Sequence, residues 1–177
     1  NFMLLSHVVE ANGATVRNFT LDPARNWSLD VESLKAAVTQ KTKLICVCNP
    51  NNPTGTVLSR EQMIEVVKVA ESVGATILSD EVYRGAEQTD DMTPTFWGLY
   101  DKVIVISGLS KSFGLPGLRV GWVAGPKEIA EKAWFYHDYL STTVTTFSDM
   151  LATRALQPEM RARIFRRNRE IVRQNLS

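Results

Sequence analysis

The sequence carries almost no net charge: 20 Lys and Arg stand against 19 Asp and Glu, a balance of +1. That removes the electrostatic footprint expected of a nucleic-acid or membrane-surface binder. It also lacks an apolar run of about 18 residues or more, the length that reads as a transmembrane helix. The longest apolar stretches, such as Leu44 to Val47 and Val103 to Ile106, have the length of strands. No leader-peptide pattern opens the chain. Asn1-Phe2-Met3-Leu4 has neither an initiator Met nor a basic n-region, and reads as a cut inside a longer sequence. Cysteine is scarce, and both residues sit in Cys46-Val47-Cys48 within an apolar run. Alternation places the two thiols on one strand face, where they read as small buried hydrophobes in a reducing, cytoplasmic compartment. The two histidines, His7 and His137, fall on expected helices without metal-ligand or nucleophile spacing, so no metal is expected.

What is present is a chain of 177 residues, 44% apolar and 22% charged, enough to bury the core of one globular domain. Helical spacing of Met3, Leu4, Val8 and Ala11, closed by Gly13, predicts a first helix over 2–12. A short strand is expected at Thr15 to Phe19. Asp30 caps a helix running to Val38, and the strand Lys43 to Cys48 has so little polar alternation that burial on both faces is expected. Ser59 and Gln62 form a capping box for a helix with Met63, Val66, Val67 and Ala70 on its inner face, ending before Gly74. Strands follow at Thr76 to Ser79, Lys102 to Ser107 and Leu118 to Ala124, then a helix after Gly125-Pro126. Beyond Lys127 the chain reads as helical. Its last stretch carries six arginines, Arg161, Arg163, Arg166, Arg167, Arg169 and Arg173, opposite an apolar side of Met160, Ile164, Ile171 and Val172. Phosphate recognition is one reading of that stretch; a solvated face or a connection to a further domain is the preferred one. Strands alternating with helices mean an α/β fold, a three-layer sandwich with a mostly parallel sheet.

In open α/β sheets, ligands bind beyond the carboxyl ends of the strands. After the first of the three longer strands comes Asn49-Pro50-Asn51-Asn52-Pro53-Thr54-Gly55; after the second, Asp80-Glu81-Val82-Tyr83; after the third, Ser110-Lys111 and then Arg119. Singly, these are a turn, a cap and surface charges. Together, an amide, a carboxylate, a phenol, an amine and a guanidinium fall at one end of adjacent strands, which makes a polar site of cofactor size.

The three segments, ending in Ser-Lys-Ser-Phe-Gly-Leu-Pro-Gly-Leu-Arg-Val-Gly-Trp, resemble in order and separation the motifs of the class I/II aminotransferases, within the fold-type I enzymes that use pyridoxal 5′-phosphate (PLP). Asn52 and Asp80 are 28 residues apart and Lys111 and Arg119 are 8 apart, as that family's pattern has them. The resemblance covers nearly the whole chain, and what it implies follows residue by residue. Lys111 forms the Schiff base with the cofactor and afterwards moves the substrate proton. Asp80 keeps the pyridine nitrogen protonated, because a neutral ring is a weak electron sink. Asn52 and Tyr83 hydrogen-bond the ring's phenolic oxygen, and Arg119 meets the phosphate with its planar fork. The family has a Ser or Thr three residues before the lysine, where this chain has Gly108, so Ser107 and Ser110 are both candidates for the phosphate. Glu81 and Arg84 are expected to be structural supports.

The resemblance further implies a division into a PLP-binding large domain over 1–157 and a helix over 158–177 leading to a small domain. The family's remaining parts, a phosphate turn and an aromatic ring upstream and a carboxylate-binding arginine downstream, lie outside this sequence, so the segment alone is expected to be inactive. A homodimer is implied, with 141–146 near the partner, and the substrates are an amino acid and a 2-oxo acid. The same motifs serve lyases, cyclopropane-carboxylate synthases and decarboxylases, and also the effector domain of some transcription regulators. Aminotransferase is the preferred reading.

Overall fold

The computed structural model describes residues 4–176. The first helix, α1, spans Leu4–Ala11 and closes on Gly13 at φ 82°; the part of the expected helix before Leu4 lies outside the described residues. Thr15 to Phe19 does not form a strand. The first ladder is instead a short antiparallel pair, β1 (Leu21–Asp22) with β2 (Ser28–Leu29). β-branched residues favour an extended chain, but a strand needs a partner's backbone, and Thr15 to Phe19 lies beside none among the described residues.

Asp30 caps α2 (Val31–Ala37), its carboxylate accepting from the Ser33 N–H at 3.1 Å. β3 (Leu44–Cys48), β4 (Thr76–Asp80) and β5 (Val103–Gly108) follow, with α3 (Arg60–Val73) between the first two. The capping box of α3 is complete, with Ser59 Oγ accepting from Gln62 N at 3.2 Å and Gln62 Oε1 accepting from Ser59 N at 2.9 Å. Gly74 ends that helix in the left-handed region at φ 67°, where a side chain would be strained. The sheet order is β3-β4-β5-β6. The first three strands are parallel, and β6 (Gly121–Ala124) runs antiparallel to β5. It begins three residues later than the sequence suggests, because Pro116–Leu118 forms a 3-10 turn and Arg119 then turns through φ 56°. Three helices complete the chain: α4 (Lys127–Leu140), α5 (Thr146–Leu156) and α6 (Pro158–Leu176).

Register explains where the core lies. Ile45 pairs with Ile77 and Ile77 with Val103, so these three share one face of the sheet. Met63, Val66 and Ala70 of α3, all fully buried, close that face together with Leu34 of α2 and Phe96. Each such side chain stabilises the fold by about 1.5–3 kcal/mol relative to exposure. The opposite face, with Leu44, Cys46, Cys48, Leu78 and Ile104, is only half-buried. β3 is therefore enclosed on one side, not on both as its sequence suggests. A smaller cluster of Leu109, Phe113, Ala152 and Phe165 ties α5 and α6 to the segment that follows β5. No helix among the described residues is long and apolar enough to cross a membrane.

Candidate functional site

Because β3, β4 and β5 are parallel, their carboxyl ends share one edge, and the three motif segments leave the sheet side by side. The segment after β3 is a closed loop. Asn49 is fully buried, and its Oδ1 accepts from the Leu58 N–H at 2.9 Å, pinning the loop's two ends together. Inside it, Gly55 N donates to Asn51 O and Asn51 N to Thr56 O, both at 2.8 Å. Both Asn–Pro bonds in the loop are cis. With its polar backbone satisfied internally, the loop presents Asn52 outward, and Asn52 Nδ2 donates to Tyr83 Oη at 3.0 Å across 31 residues of sequence.

At the end of β4, alternation separates two neighbouring carboxylates. Asp80 stands on the half-open face, opposite Cys48 in the ladder, and is 8% exposed. Burial pushes its carboxyl above the usual range, an effect only partly offset by the Val82 N–H donor at 3.2 Å and by the charge of Lys111. Glu81 points the other way, toward the core. Its Oε1 accepts from Ser79 Oγ at 3.1 Å, Thr95 Oγ1 at 3.0 Å and Phe96 N at 3.0 Å. Its backbone N–H also donates to Ile106 O at 2.9 Å, so Glu81 joins the ends of β4 and β5 to the 95–96 segment. Arg84 Nε donates to Thr93 O at 2.7 Å and holds the same loop from the other side.

Lys111 follows β5 in a tight turn closed by Gly114 N donating to Lys111 O at 2.9 Å. Its Nζ lies 6.0 Å from the centre of the Tyr83 ring. Lys111, Tyr83, Asp80 and Asn52 therefore converge. Arg119, at the far side of the Pro116 turn, is exposed and uses one Nη1–H on Pro116 O at 3.0 Å. A guanidinium has five N–H donors in a fixed fork, so most of its anion-binding capacity is uncommitted by that bond.

The two serines differ. Ser107 Oγ donates to Glu81 O at 3.1 Å and is engaged with the sheet, whereas Ser110 is half-buried directly beside Lys111. Gly108 also has a physical reason. A Cβ there would lie 3.0 Å from Val120 O and 3.1 Å from the Cα of Gly121, its partner in the β5–β6 ladder. A serine or threonine at that position would require the two strands to give by a few tenths of an ångström. The cysteines are unpaired and half-buried, and burial raises both thiols above their ordinary range, which makes them poor nucleophiles at neutral pH.

Sequence reasoning did not reach the contribution of α6. Asn168 and Arg169 of that helix bind the segments that carry Lys111 and Tyr83, although the sequence groups Arg169 with the arginines expected on a solvated face or a connection to a further domain. The spacing 165, 168, 169, 172 and 173 marks one helix face, and that face was the available signal.

The residues present fit PLP by the chemistry of the donor set. A buried carboxylate held above its usual range lacks a strong countercharge, which a protonated pyridine nitrogen supplies. Two donors, Asn52 Nδ2 and Tyr83 Oη, sit together as a phenolate oxygen requires, beside an amine and, at the end of the same segment, a guanidinium.

Comparison with known proteins identifies the family. The family model "Aminotransferase class I and II" matches residues 1–176. An aspartate aminotransferase of Streptomyces avermitilis is 33% identical over 162 residues, covering 86% of this chain and 40% of the relative. One from Pyrococcus abyssi is 34% identical over 155 residues, with the same coverage of 86% and 40%. Among solved structures, a PLP-dependent aminotransferase from Streptococcus suis superposes with a TM-score of 0.87 at 38% identity, over 96% of this chain and 44% of that one. A Thermus thermophilus aspartate aminotransferase variant superposes at 0.91 with 24% identity, over 98% and 46%, and supports the fold. The chain thus spans about 40% of the length of these curated relatives. With its motifs in order, its mostly parallel sheet and its whole described length matched, the chain belongs to the aminotransferase class I and II family.

Proposed function

We propose that the protein is a PLP-dependent aminotransferase that passes an amino group from an amino acid to a 2-oxo acid, with Lys111 as the residue that attaches the cofactor. The observation that carries this reading is the convergence of Lys111, Tyr83, Asn52 and Asp80 from three consecutive strand ends, with Lys111 Nζ 6.0 Å from the Tyr83 ring centre. When bound, PLP supplies the electron sink that makes a substrate Cα–H acidic.

The chain's own residues do the rest. Asp80, kept from water by burial, holds a proton on the ring nitrogen by ion pairing. Asn52 Nδ2 and Tyr83 Oη, already hydrogen-bonded to each other, orient the ring through its phenolic oxygen. Arg119 receives the phosphate, with Ser110 the better placed of the two serines because Ser107 is committed to Glu81 O. Lys111 Nζ, once a substrate amine has taken its place, would be the base that takes and returns the substrate Cα proton. In this reading residues 1–157 bind the cofactor, α6 leads toward a small domain, and the protein works as a cytoplasmic homodimer. The unpaired thiols fit the compartment, and the exposed aromatic side chains of α4 fit a subunit contact.

The test uses the natural full-length protein with PLP and sodium borohydride. Borohydride would fix PLP carried on Lys111 Nζ as a stable secondary amine. Peptide mass mapping is expected to find the label on Lys111, and the Lys111→Ala protein is expected to take none and to transfer no amino group to 2-oxoglutarate. Equal labelling of the wild type and the variant would overturn the assignment.

A further inference from the structure

Lys111 and Tyr83 sit on segments that leave different strands, and the β4–β5 ladder stops at Asp80 and Ile106, short of both. Beyond that point two main-chain bonds join the β4 exit to β5 and its exit, Glu81 N to Ile106 O at 2.9 Å and Ser112 N to Val82 O at 3.4 Å. A side-chain contact adds to these two bonds.

That contact comes from the last helix, 56 residues downstream, where Asn168 Nδ2 donates to Ser112 O at 3.0 Å. The same amide lies against the turn that carries Lys111. Gly114 closes that turn at φ 66°, and a Cβ on it would meet Asn168 Nδ2 at 3.3 Å. One turn earlier on α6, the ring of Phe165 packs edge-on against Phe113 with centroids 4.8 Å apart. Phe165 also fills the space over Gly85, where a Cβ would come within 2.5 Å of the ring. Gly85 is two residues beyond Tyr83, so one ring touches both segments.

Arg169 completes the set. Its side chain is 14% exposed and reaches Glu87 at 4.0 Å and Asp90 at 3.3 Å. Glu87 in turn accepts the Gly85 N–H at 2.9 Å and the Thr93 N–H at 2.9 Å, which fixes the loop behind Tyr83. Arg173, one turn further along, donates to Gln88 O. Phe165, Asn168, Arg169 and Arg173 recur at the spacing of one helix face.

We propose that this face of α6 is a splint that holds Lys111 and Tyr83 at a fixed separation, and that Asn168 is a positioning residue for the Lys111 amine, acting through Ser112 O. The proposal rests on the reading of Lys111 as the attachment residue. It goes beyond that reading by making the attachment chemistry depend on a helix that contributes no group to the cofactor.

The experiment compares the full-length wild type with Asn168→Ala and Asn168→Asp. The second variant keeps the shape and packing of the amide but loses the donor toward Ser112 O. Three readouts are taken well below the melting temperature: the rate of borohydride-trapped PLP labelling at Lys111, the pH midpoint of the bound cofactor's absorbance change, and hydrogen exchange at the Gly114 amide without cofactor. Both variants are expected to label roughly three- to tenfold more slowly, the worth of one hydrogen bond, with a displaced midpoint and faster Gly114 exchange. A merely structural role would lower the melting temperature and leave the labelling rate and midpoint of the folded protein unchanged. If the wild type takes no label at Lys111, the attachment reading fails and the splint with it. If the wild type labels and both variants match it in rate, midpoint and exchange, Lys111 stands and the splint is overturned.

Discussion

The two sides of this chain treat their apolar residues in opposite ways. On the side covered by α2 and α3, Met63, Val66 and Ile77 are each 0% exposed. On α4 and α5, Trp134 is 65% exposed, Tyr139 77% and Phe147 72%. The aromatic rings of α4 meet each other rather than a core, with Phe135 and Tyr139 centroids 5.4 Å apart. The candidate site hangs from the enclosed side: Asn52, Asp80 and Lys111 each leave a strand whose other face is sealed by α3 and its neighbours. A site needs its supporting strands fixed, and the enclosed region fixes the strands themselves, while α6 holds the segments that leave them.

The sharpest test of this contrast is Met63→Ala. Met63 of α3 is fully enclosed in the core against the sheet, and its truncation leaves a cavity beneath the strands that carry the site. A loss of about 2–5 kcal/mol in unfolding free energy is expected, read as a lower urea midpoint at unchanged slope. A cost below about 1 kcal/mol would mean that the α3 face is less tightly packed than its burial implies.

A smaller effect, of opposite sign, is expected where the enclosed side gives up stability for function. Burial raises the Asp80 carboxyl above its ordinary value of 3.8 in the folded, cofactor-free protein. The folded state therefore holds that proton more tightly than the unfolded chain does. The resulting stabilisation is complete below pH 3.8 and is lost as pH rises through the folded value. At neutral pH the ionised carboxylate is a burden until a cation is bound beside it. Asp80→Asn is expected to raise the urea midpoint of the cofactor-free protein at neutral pH, with the gain shrinking as pH falls through the raised folded value and absent below 3.8. Saturating PLP is expected to reverse the order, because Asn offers the ring nitrogen no charge. A gain that is independent of pH would locate the effect in packing.

How much of this was legible in the sequence follows the same division. The strands β3, β4 and β5, the capping box at Ser59 and the polar strand ends depend on local patterns, and those patterns are strong there. Thr15 to Phe19 failed as a strand because pairing is a property of two segments, and only one of them is visible in a local pattern. β3 has a continuous apolar run, yet a run of that kind says nothing about whether its second face is covered. The start of β6 was misplaced because a 3-10 turn at Pro116 and a left-handed Arg119 consume residues that alternate like a strand. Glycine at 108 looked like a departure from the family's serine, and the close approach of β6 explains it, but the approach is a tertiary fact. Asn168 and Arg169 act on segments more than 50 residues away, and helical period marks the face they share but not what that face meets.

The exposed side provides the smallest expected effect and the one that most directly breaks the comparison. Tyr139 lies near the end of α4, 77% exposed, with its ring against Phe135 rather than against the sheet. Tyr139→Ala removes a large apolar side chain, and an argument from residue type alone would assign it the cost of an aromatic truncation in a core, about 3–5 kcal/mol. The geometry assigns it almost none, because an exposed ring gives up no burial when it is cut back; a change within about 0.5 kcal/mol is expected in the 177-residue chain. The same substitution in the full-length protein then reports on what meets that face. Contiguous apolar patches mark surfaces that meet other protein, and a cost of about 2 kcal/mol or more there, with none in the 177-residue chain, would show that α4 is covered by residues beyond it. Equal, small costs in both would leave α4 a solvent-facing helix.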